Sequence, residues 1–195
     1  MSDSSILESL WLEHVPNTHS VHVAVFRNVE NAAFLHQQLL ARNADFEYAL
    51  IDAGVITSRL QVFSAAFKAI TLQLAGTMKT PNVHSELVYS LSPTNNVLVT
   101  PSVSSSATAA PETTSATETE TPLTAQDIEK HLLAHVEGKP VPFTAQTLSE
   151  LTDWGRVRKY YKLNGVSWLD GIKDQATKNR ELDMLVMGGM ALRGV

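Results

Sequence analysis

The apolar positions along the chain follow two periods. Val21, Val23 and Val25 alternate with His22, Ala24 and Phe26, the spacing of a strand buried mainly on one face. Asn31 reads as the cap of a helix running to about Arg42, with Phe34, Leu35 and Leu39 inward. Residues 46–51 read as a second strand, closed by Asp52. The clearest helix follows. Ser58 and Gln61 make a Ser-x-x-Gln capping box, which satisfies amide donors that a helix start leaves free. Leu60, Phe63, Phe67, Ile70 and Leu74 recur at helical spacing, and Gly76 suits the terminating position. Charge enters this helix only at Arg59 and Lys68, while Val62, Ala66 and Ala69 widen the apolar surface beyond the stripe. A surface helix should carry a clean polar face, and this one does not.

Residues 86–91 read as a strand, followed by the turn signal Ser92-Pro93-Thr94-Asn95-Asn96. Residues 97–103 suit another strand, which Pro101 would confine to a sheet edge or end early. In residues 102–121, eleven of twenty are Ser or Thr, and Val103 is the one aliphatic side chain larger than alanine. Such a stretch buries too little apolar surface to offset the entropy of ordering it. It is expected to be a disordered loop, at about 100–122, interrupting a single domain that spans 1–195. Order resumes at Thr124, an N-cap for a helix with Ile128, Leu132 and Val136 inward and Gly138 at its end. Thr144 caps another, carrying Leu148 and Leu151, and a short basic helix at 156–162 follows. The last helix should begin near Lys178 and turn apolar on all sides from Met184, with Gly188 and Gly189 inside it. An all-apolar end segment belongs either to the core or to a partner. The fold class is α+β, a small mixed sheet packed with several helices.

Composition narrows the chemistry. Of 195 residues, 44% are hydrophobic and 18% charged, enough apolar material for a core. The net charge of −5 excludes a global basic field, so any nucleic-acid contact must be a local patch. The absence of cysteine removes disulfide and thiol chemistry and fits a reducing compartment. Residues 1–8 carry no basic stretch leading into a long apolar run, and no run approaches the roughly 20 residues that span a bilayer. The expected setting is cytosol or nucleus, with no membrane partner.

Few constellations carry chemistry. His131 and His135 lie at i, i+4 and could both reach a metal, but no third ligand has sensible spacing, and the Glu of a His-Glu-x-x-His motif is missing. Two ordinary surface histidines are the stronger reading, and no metal site is expected. No phosphate-cradling glycine loop and no Gly-x-Ser-x-Gly elbow exist. The expectation is a non-enzyme without cofactor or small-molecule substrate. Arg156-Val157-Arg158-Lys159-Tyr160-Tyr161-Lys162 interleaves cations with aromatics, a pattern that meets phosphates and stacks on bases. It equally suits a helix with one solvated basic face and Tyr161 in the core. Met184, Met187 and Met190 recur every third residue, as core or as an adaptable partner surface.

Several motifs stand in an order that resembles one family. Met78-Lys79-Thr80-Pro81-Asn82 leads through Ser85-Glu86 to Ser90-Leu91-Ser92-Pro93-Thr94-Asn95-Asn96. Val157-Arg158-Lys159-Tyr160-Tyr161-Lys162-Leu163 follows, and the chain ends Leu192-Arg193-Gly194-Val195. Together these resemble the small KEOPS/EKC-complex subunits of the PRPK-binding, CGI-121 type, in their fungal version. The similarity covers most of 21–96 and 124–195. The resemblance implies a non-catalytic α+β subunit that binds a small atypical kinase/ATPase and supports threonylcarbamoyl transfer to the adenosine beside the tRNA anticodon. The transferase subunit would be an indirect partner and the tRNA 3′ end a direct one. The family's kinase-facing helices correspond to those holding Tyr160 and Val186, with Met190 one turn beyond. Charge and the Met-Lys-Thr resemblance point to Lys79, Arg158 and Lys162 for tRNA. Location in nucleus and cytoplasm, with links to telomeres, chromosome and transcription, is likewise implied. The alternative is a stand-alone RNA-binding module using the basic helix at 156–162. The chain departs from the family after Asn96, where a short amphipathic helix ending in Phe-Gly is replaced by Val97-Leu98-Val99 and the Ser/Thr-rich stretch.

Overall fold

The computed structural model describes residues 6–92, 105–111 and 124–192. Its frame is an antiparallel sheet built around β2 (Val21–Arg27). One edge of β2 pairs along its whole length with β4 (Ser105–Pro111), from Val21↔Pro111 to Arg27↔Ser105. Beyond β4 lies β3 (Ala49–Asp52), paired from Ala49↔Ala109 to Asp52↔Ser106. The other edge of β2 is shared by two three-residue strands, β1 (Glu8–Leu10) and β5 (Lys139–Val141). Every described pairing is antiparallel, where the sequence suggests a mixed sheet. β2 and β3 do run parallel, joined through the helix at Ala32–Leu40, but β4 lies between them and pairs antiparallel with both.

β4 corrects the expectation of a disordered loop for seven of its residues. Ser105–Pro111 forms the strand between β2 and β3, despite a sequence of Ser, Thr, Ala and Pro. Pro111 falls past the end of the β3 register, so its missing N–H interrupts only one side of the ladder. The remainder of 100–122 lies outside the described residues, as does the strand expected at 97–103, apart from Ser92 the turn at 92–96, and the departure after Asn96.

Helices cover both faces of the sheet. On one face lie α1 (Ala32–Leu40) and α4 (Ala125–His135), closing a cluster of Ala24, Phe26, Leu35, Phe46, Ile128 and Leu132. On the other face lie α2 (Arg59–Leu74), α3 (Val83–Leu91), α5 (Ala145–Leu151) and α8 (Gln175–Leu192). Their core contains Val21, Val23, Val25, Ile51, Leu87, Leu148 and Met190. β2 is therefore buried on both faces rather than mainly on one, because each face has its own helical cover. Two short helices, α6 (Trp154–Tyr160) and α7 (Ser167–Asp170), link α5 to α8.

Capping fixes most helix starts. Ser58 Oγ accepts from Gln61 N–H at 3.1 Å, while Gln61 Oε1 accepts from Thr57 N–H at 2.8 Å, one residue earlier than a standard box. Thr124 and Asp127 form the reciprocal box of α4. Asn31 precedes α1 without capping it: its amide donates to the His135 carbonyl at 2.7 Å and accepts from Glu137 N–H at 3.1 Å. It ties the start of α1 to the end of α4 instead. Residues 86–91, expected as a strand, belong to α3. Asn82 caps that helix through Ser85 N–H at 2.8 Å, and Val83, Leu87 and Leu91 share its buried face at a period of four. In the second predicted strand, Ala44–Phe46 is a 3-10 turn and pairing starts only at Ala49.

Candidate functional site

α2 packs in the reverse of the obvious orientation. Its buried face consists of Gln61, Val62, Ala65, Ala66, Ala69 and Ile70. Small side chains allow the helix axis to approach its neighbours closely. The larger residues of the stripe, Leu60, Phe67 and Leu74, are 63%, 39% and 51% exposed at i, i+7 and i+14. An exposed apolar row on a helix of sixteen residues is a candidate interaction surface. Phe63 instead turns to the side, edge-on to Phe143 at 5.7 Å, and Arg59 lies over both rings.

α8 lies beside α2. Thr57 Oγ1, just before α2, donates to Asp183 Oδ1, and Lys68 Nζ donates to the Met190 carbonyl at 3.0 Å. Both contacts advance in the same direction, so the helices run parallel. Leu182, Val186 and Met190 point inward at a period of four. Val186 is fully buried and Met190 nearly so, which corrects their expected position on a docking surface. In the apolar end of α8, the residues left outside are Met184, Gly188, Gly189, Ala191 and Leu192, with Met184 60% exposed. Tyr160 is half-buried at the end of α6, its ring edge-on to Tyr161 at 5.3 Å.

α6 is anchored rather than free. Tyr161 donates its hydroxyl hydrogen to the Leu91 carbonyl at 2.6 Å and accepts from Gln61 Nε2 at 2.8 Å. Arg156 pairs with Asp52 at 2.5 Å. Gly54 makes room for that pair, since a Cβ there would lie 2.9 Å from the guanidinium. Arg158 pairs with Asp170 at 2.9 Å, and Lys178 approaches the same carboxylate at 3.6 Å. Much of the basic helix is thus spent within the chain. Lys162 is exposed and ends α6 in the left-handed region at φ 57°. Lys79 is exposed on the loop before α3, where Glu86 accepts from Lys79 N–H at 3.0 Å and from Thr80 N–H at 2.8 Å. Lys79 lies at the first turn of α3, while Tyr161 docks at its last. Nine helical residues separate the two by roughly 13 Å. Lys79 therefore stands at the opposite end of α3 from the point where the helix carrying Arg158 is docked.

Spacing alone missed a second basic element. Residues 154–180 hold seven Lys or Arg against Asp170 and Asp174, a local charge of +5 in a chain whose net is −5. Lys159, Lys162, Lys173 and Arg180 are exposed there, and Trp168 on α7 is 52% exposed. The signal lay in a charge window wider than one helix. Phe67 and Leu60 had a signal too, in the excess apolar surface of α2, but not which side would face out.

On the opposite face of the sheet, His131 and His135 are more than surface histidines. Their rings stack at 4.2 Å, and Phe46 meets each edge-on at 5.1 Å. His135 Nδ1 donates to the His131 carbonyl at 2.9 Å, and His131 Nδ1 bonds the Tyr48 hydroxyl at 2.8 Å. Burial and the neighbouring His135 lower the His131 pKa, opposed by Asp45. Burial, with Asp45, pushes Tyr48 up to about 12. Among the described residues, no group of three or more His, Asp or Glu gathers around a point.

Comparison with known proteins adds what geometry does not. The family described as "Kinase binding protein CGI-121" matches residues 26–194. A Gibberella zeae protein named "EKC/KEOPS complex subunit CGI121" is 50% identical over 196 residues, covering 97% of this chain and 99% of that one. A Neurospora crassa protein of the same name is 43% identical, at 97% and 99% coverage. One from Schizosaccharomyces pombe is 34% identical over 144 residues, at 74% and 82% coverage.

Proposed function

We propose, from the premise that this chain belongs to the CGI-121 family of kinase binding proteins, that it is a non-catalytic accessory subunit of an EKC/KEOPS complex. In this reading it docks the kinase of that complex through the outward faces of α2 and α8. The observation that carries the docking face is the exposed row Leu60, Phe67 and Leu74 on α2, with Met184 exposed on the neighbouring α8. Covering large apolar side chains stabilises a complex by about 1.5–3 kcal/mol each at most. Such buried anchors dominate interface energetics, and methionine adapts to the partner's contour. Tyr160 belongs to the rim of this surface in the proposal, whereas Val186 and Met190 support it from below.

The test is co-purification of the kinase with Phe67→Glu and Met184→Glu. Each puts an unpaired charge into the covered face while leaving the free chain intact, because both side chains already meet water. Loss of the kinase from folded variants is the expected result. Undiminished capture by both would overturn the docking face.

A tRNA contact is the second part of the reading. Its support is the basic segment 154–180, in which the exposed Trp168 offers a stacking surface among cations. Lys79 and Lys162 join it as phosphate contacts, and Arg158 contributes through the Asp170 pair that holds α7. Contact with the 3′ end, support of threonylcarbamoyl transfer by the transferase subunit, and residence in nucleus and cytoplasm with a telomeric pool all belong to this proposal.

A further inference from the structure

We propose, on the tRNA reading given above, that Glu86 is a positioning residue for Lys79: buried beneath the loop 75–82, it holds the backbone that sets this lysine against a phosphate of the bound RNA. The loop joins α2 to α3, and Glu86 lies on the buried face of α3, closed to solvent. A buried carboxylate costs free energy unless its surroundings supply donors. Here the loop supplies three, all to one oxygen. Glu86 Oε2 accepts from Lys79 N–H at 3.0 Å, from Thr80 N–H at 2.8 Å and from the Thr80 hydroxyl at 2.6 Å. Oε1 has no hydrogen-bond partner among the described residues, so every bond described for this side chain goes to the loop.

Capping does not account for these bonds. α3 has its cap in Asn82, which accepts from Ser85 N–H at 2.8 Å and donates its amide to Glu47 at 2.8 Å. The bonds of Glu86 reach back past that cap and fix one exposed side chain from both sides. Met78 packs against the core on the α2 face, Thr80 is tied to Glu86, and Lys79 stands exposed between them with its own N–H held. A backbone ordered before binding spares the complex part of the entropy that a contact otherwise loses. A single ammonium held in this way suits a phosphate, to which lysine binds as a point charge. Such a contact fixes register on the RNA and carries no base preference.

The test measures the affinity of the full chain for a tRNA transcript as salt is varied, with a thermal melt of each variant. Lys79→Gln should weaken binding about threefold or more at about 0.1 M salt and lower the salt slope by about one charge. Glu86→Met keeps the lysine but removes the acceptor, and should reproduce both changes. By charge alone, loss of a carboxylate strengthens binding to an anion, so the two effects differ in sign. Glu86→Gln loses the same carboxylate yet keeps an acceptor oxygen, and should recover most of the affinity. The double variant Lys79→Gln/Glu86→Met should bind no worse than Lys79→Gln, because Glu86 acts through Lys79. Should Glu86→Met fail to fold, Thr80→Val, which deletes one of the three donors at nearly the same shape, takes its place. Weakening by Lys79→Gln without weakening by the loop-releasing variant overturns the positioning role and leaves the lysine contact standing. Losses that add in the double variant overturn it too. Unchanged affinity in Lys79→Gln removes the lysine contact itself, and the role of Glu86 falls with it.

Discussion

His84 is the residue whose surroundings most directly govern stability against pH. It lies in the first turn of α3 with its Nδ1 buried and unpartnered, and burial pushes its pKa down to about 4. The unfolded chain would hold a proton below about pH 6.5, so the folded state binds fewer protons between pH 6.5 and 4. Stability is whole above that window and falls as pH drops through it. Burial lowers His22 and His131 in the same direction. His84→Leu should therefore flatten the acid limb: in urea melts, wild type should lose about 2 kcal/mol more than the variant between pH 7 and 4.5. Equal losses would mean that His84 does not carry the effect. A second residue-scale contrast lies on α8. Val186→Glu buries a charge with no partner and should unfold the chain, a cost of at least about 3 kcal/mol, whereas Met184→Glu should leave the melt within about 0.5 kcal/mol of wild type. Sequence could not separate these two, because α8 is apolar on nearly every side near its end. Only the register against α2 determines which residues turn inward.

At the scale of elements, α2 and β4 both depart from sequence expectation, and each departure has a physical cause. In α2 the eye follows the large side chains, but the sheet and α3 select the small ones. Ala65, Ala66 and Ala69 are fully buried, and added methylenes there would push helices apart. Ala66→Leu should lower stability by about 1–3 kcal/mol in denaturant melts, while Leu60→Ala, on the exposed row, should cost less than about 0.5 kcal/mol. The reverse ranking would mean that α2 is turned the other way. In β4 the composition argues for disorder, yet the strand has neighbours on both sides. Backbone pairing with β2 and β3 supplies what the side chains do not. Ala109 pairs with Val23 and Ala49, so Ala109→Pro removes an N–H from the middle of the sheet. A loss of about 1–3 kcal/mol in the melt is expected, and deletion of residues 104–119 should abolish cooperative unfolding. A melt unchanged by the deletion would show that β2 and β3 do not need this strand. The capping residues Ser58, Thr124 and Thr144 were legible because a cap is a local bond between residues three apart. Residues 86–91 were misread because Leu87-Val88-Tyr89 suits either period over so short a run.

For the molecule as a whole, charge and apolar surface are unevenly shared. The segment 154–180 is positive in an otherwise acidic chain. If it meets tRNA, changing Lys162, Lys173 and Arg180 together to Gln should weaken binding evenly across sequences and flatten the salt dependence by up to about three charges. A salt slope equal to that of the wild type would remove these residues from the contact. The segment was visible in composition, but the internal pairing of Arg156 and Arg158 was not, since Asp52 lies a hundred residues away from them and Asp170 belongs to another helix. The outward row on α2 has an implication for the cell as well as for the complex. If the kinase covers that row as proposed, a subunit that carries Leu60, Phe67, Leu74 and Met184 uncovered is incomplete on its own. Made in excess of its kinase, it should self-associate through that row or be cleared by quality control. Its abundance would then follow the partner's supply, so gene dosage would be set by stoichiometry and not by the rate of its own synthesis.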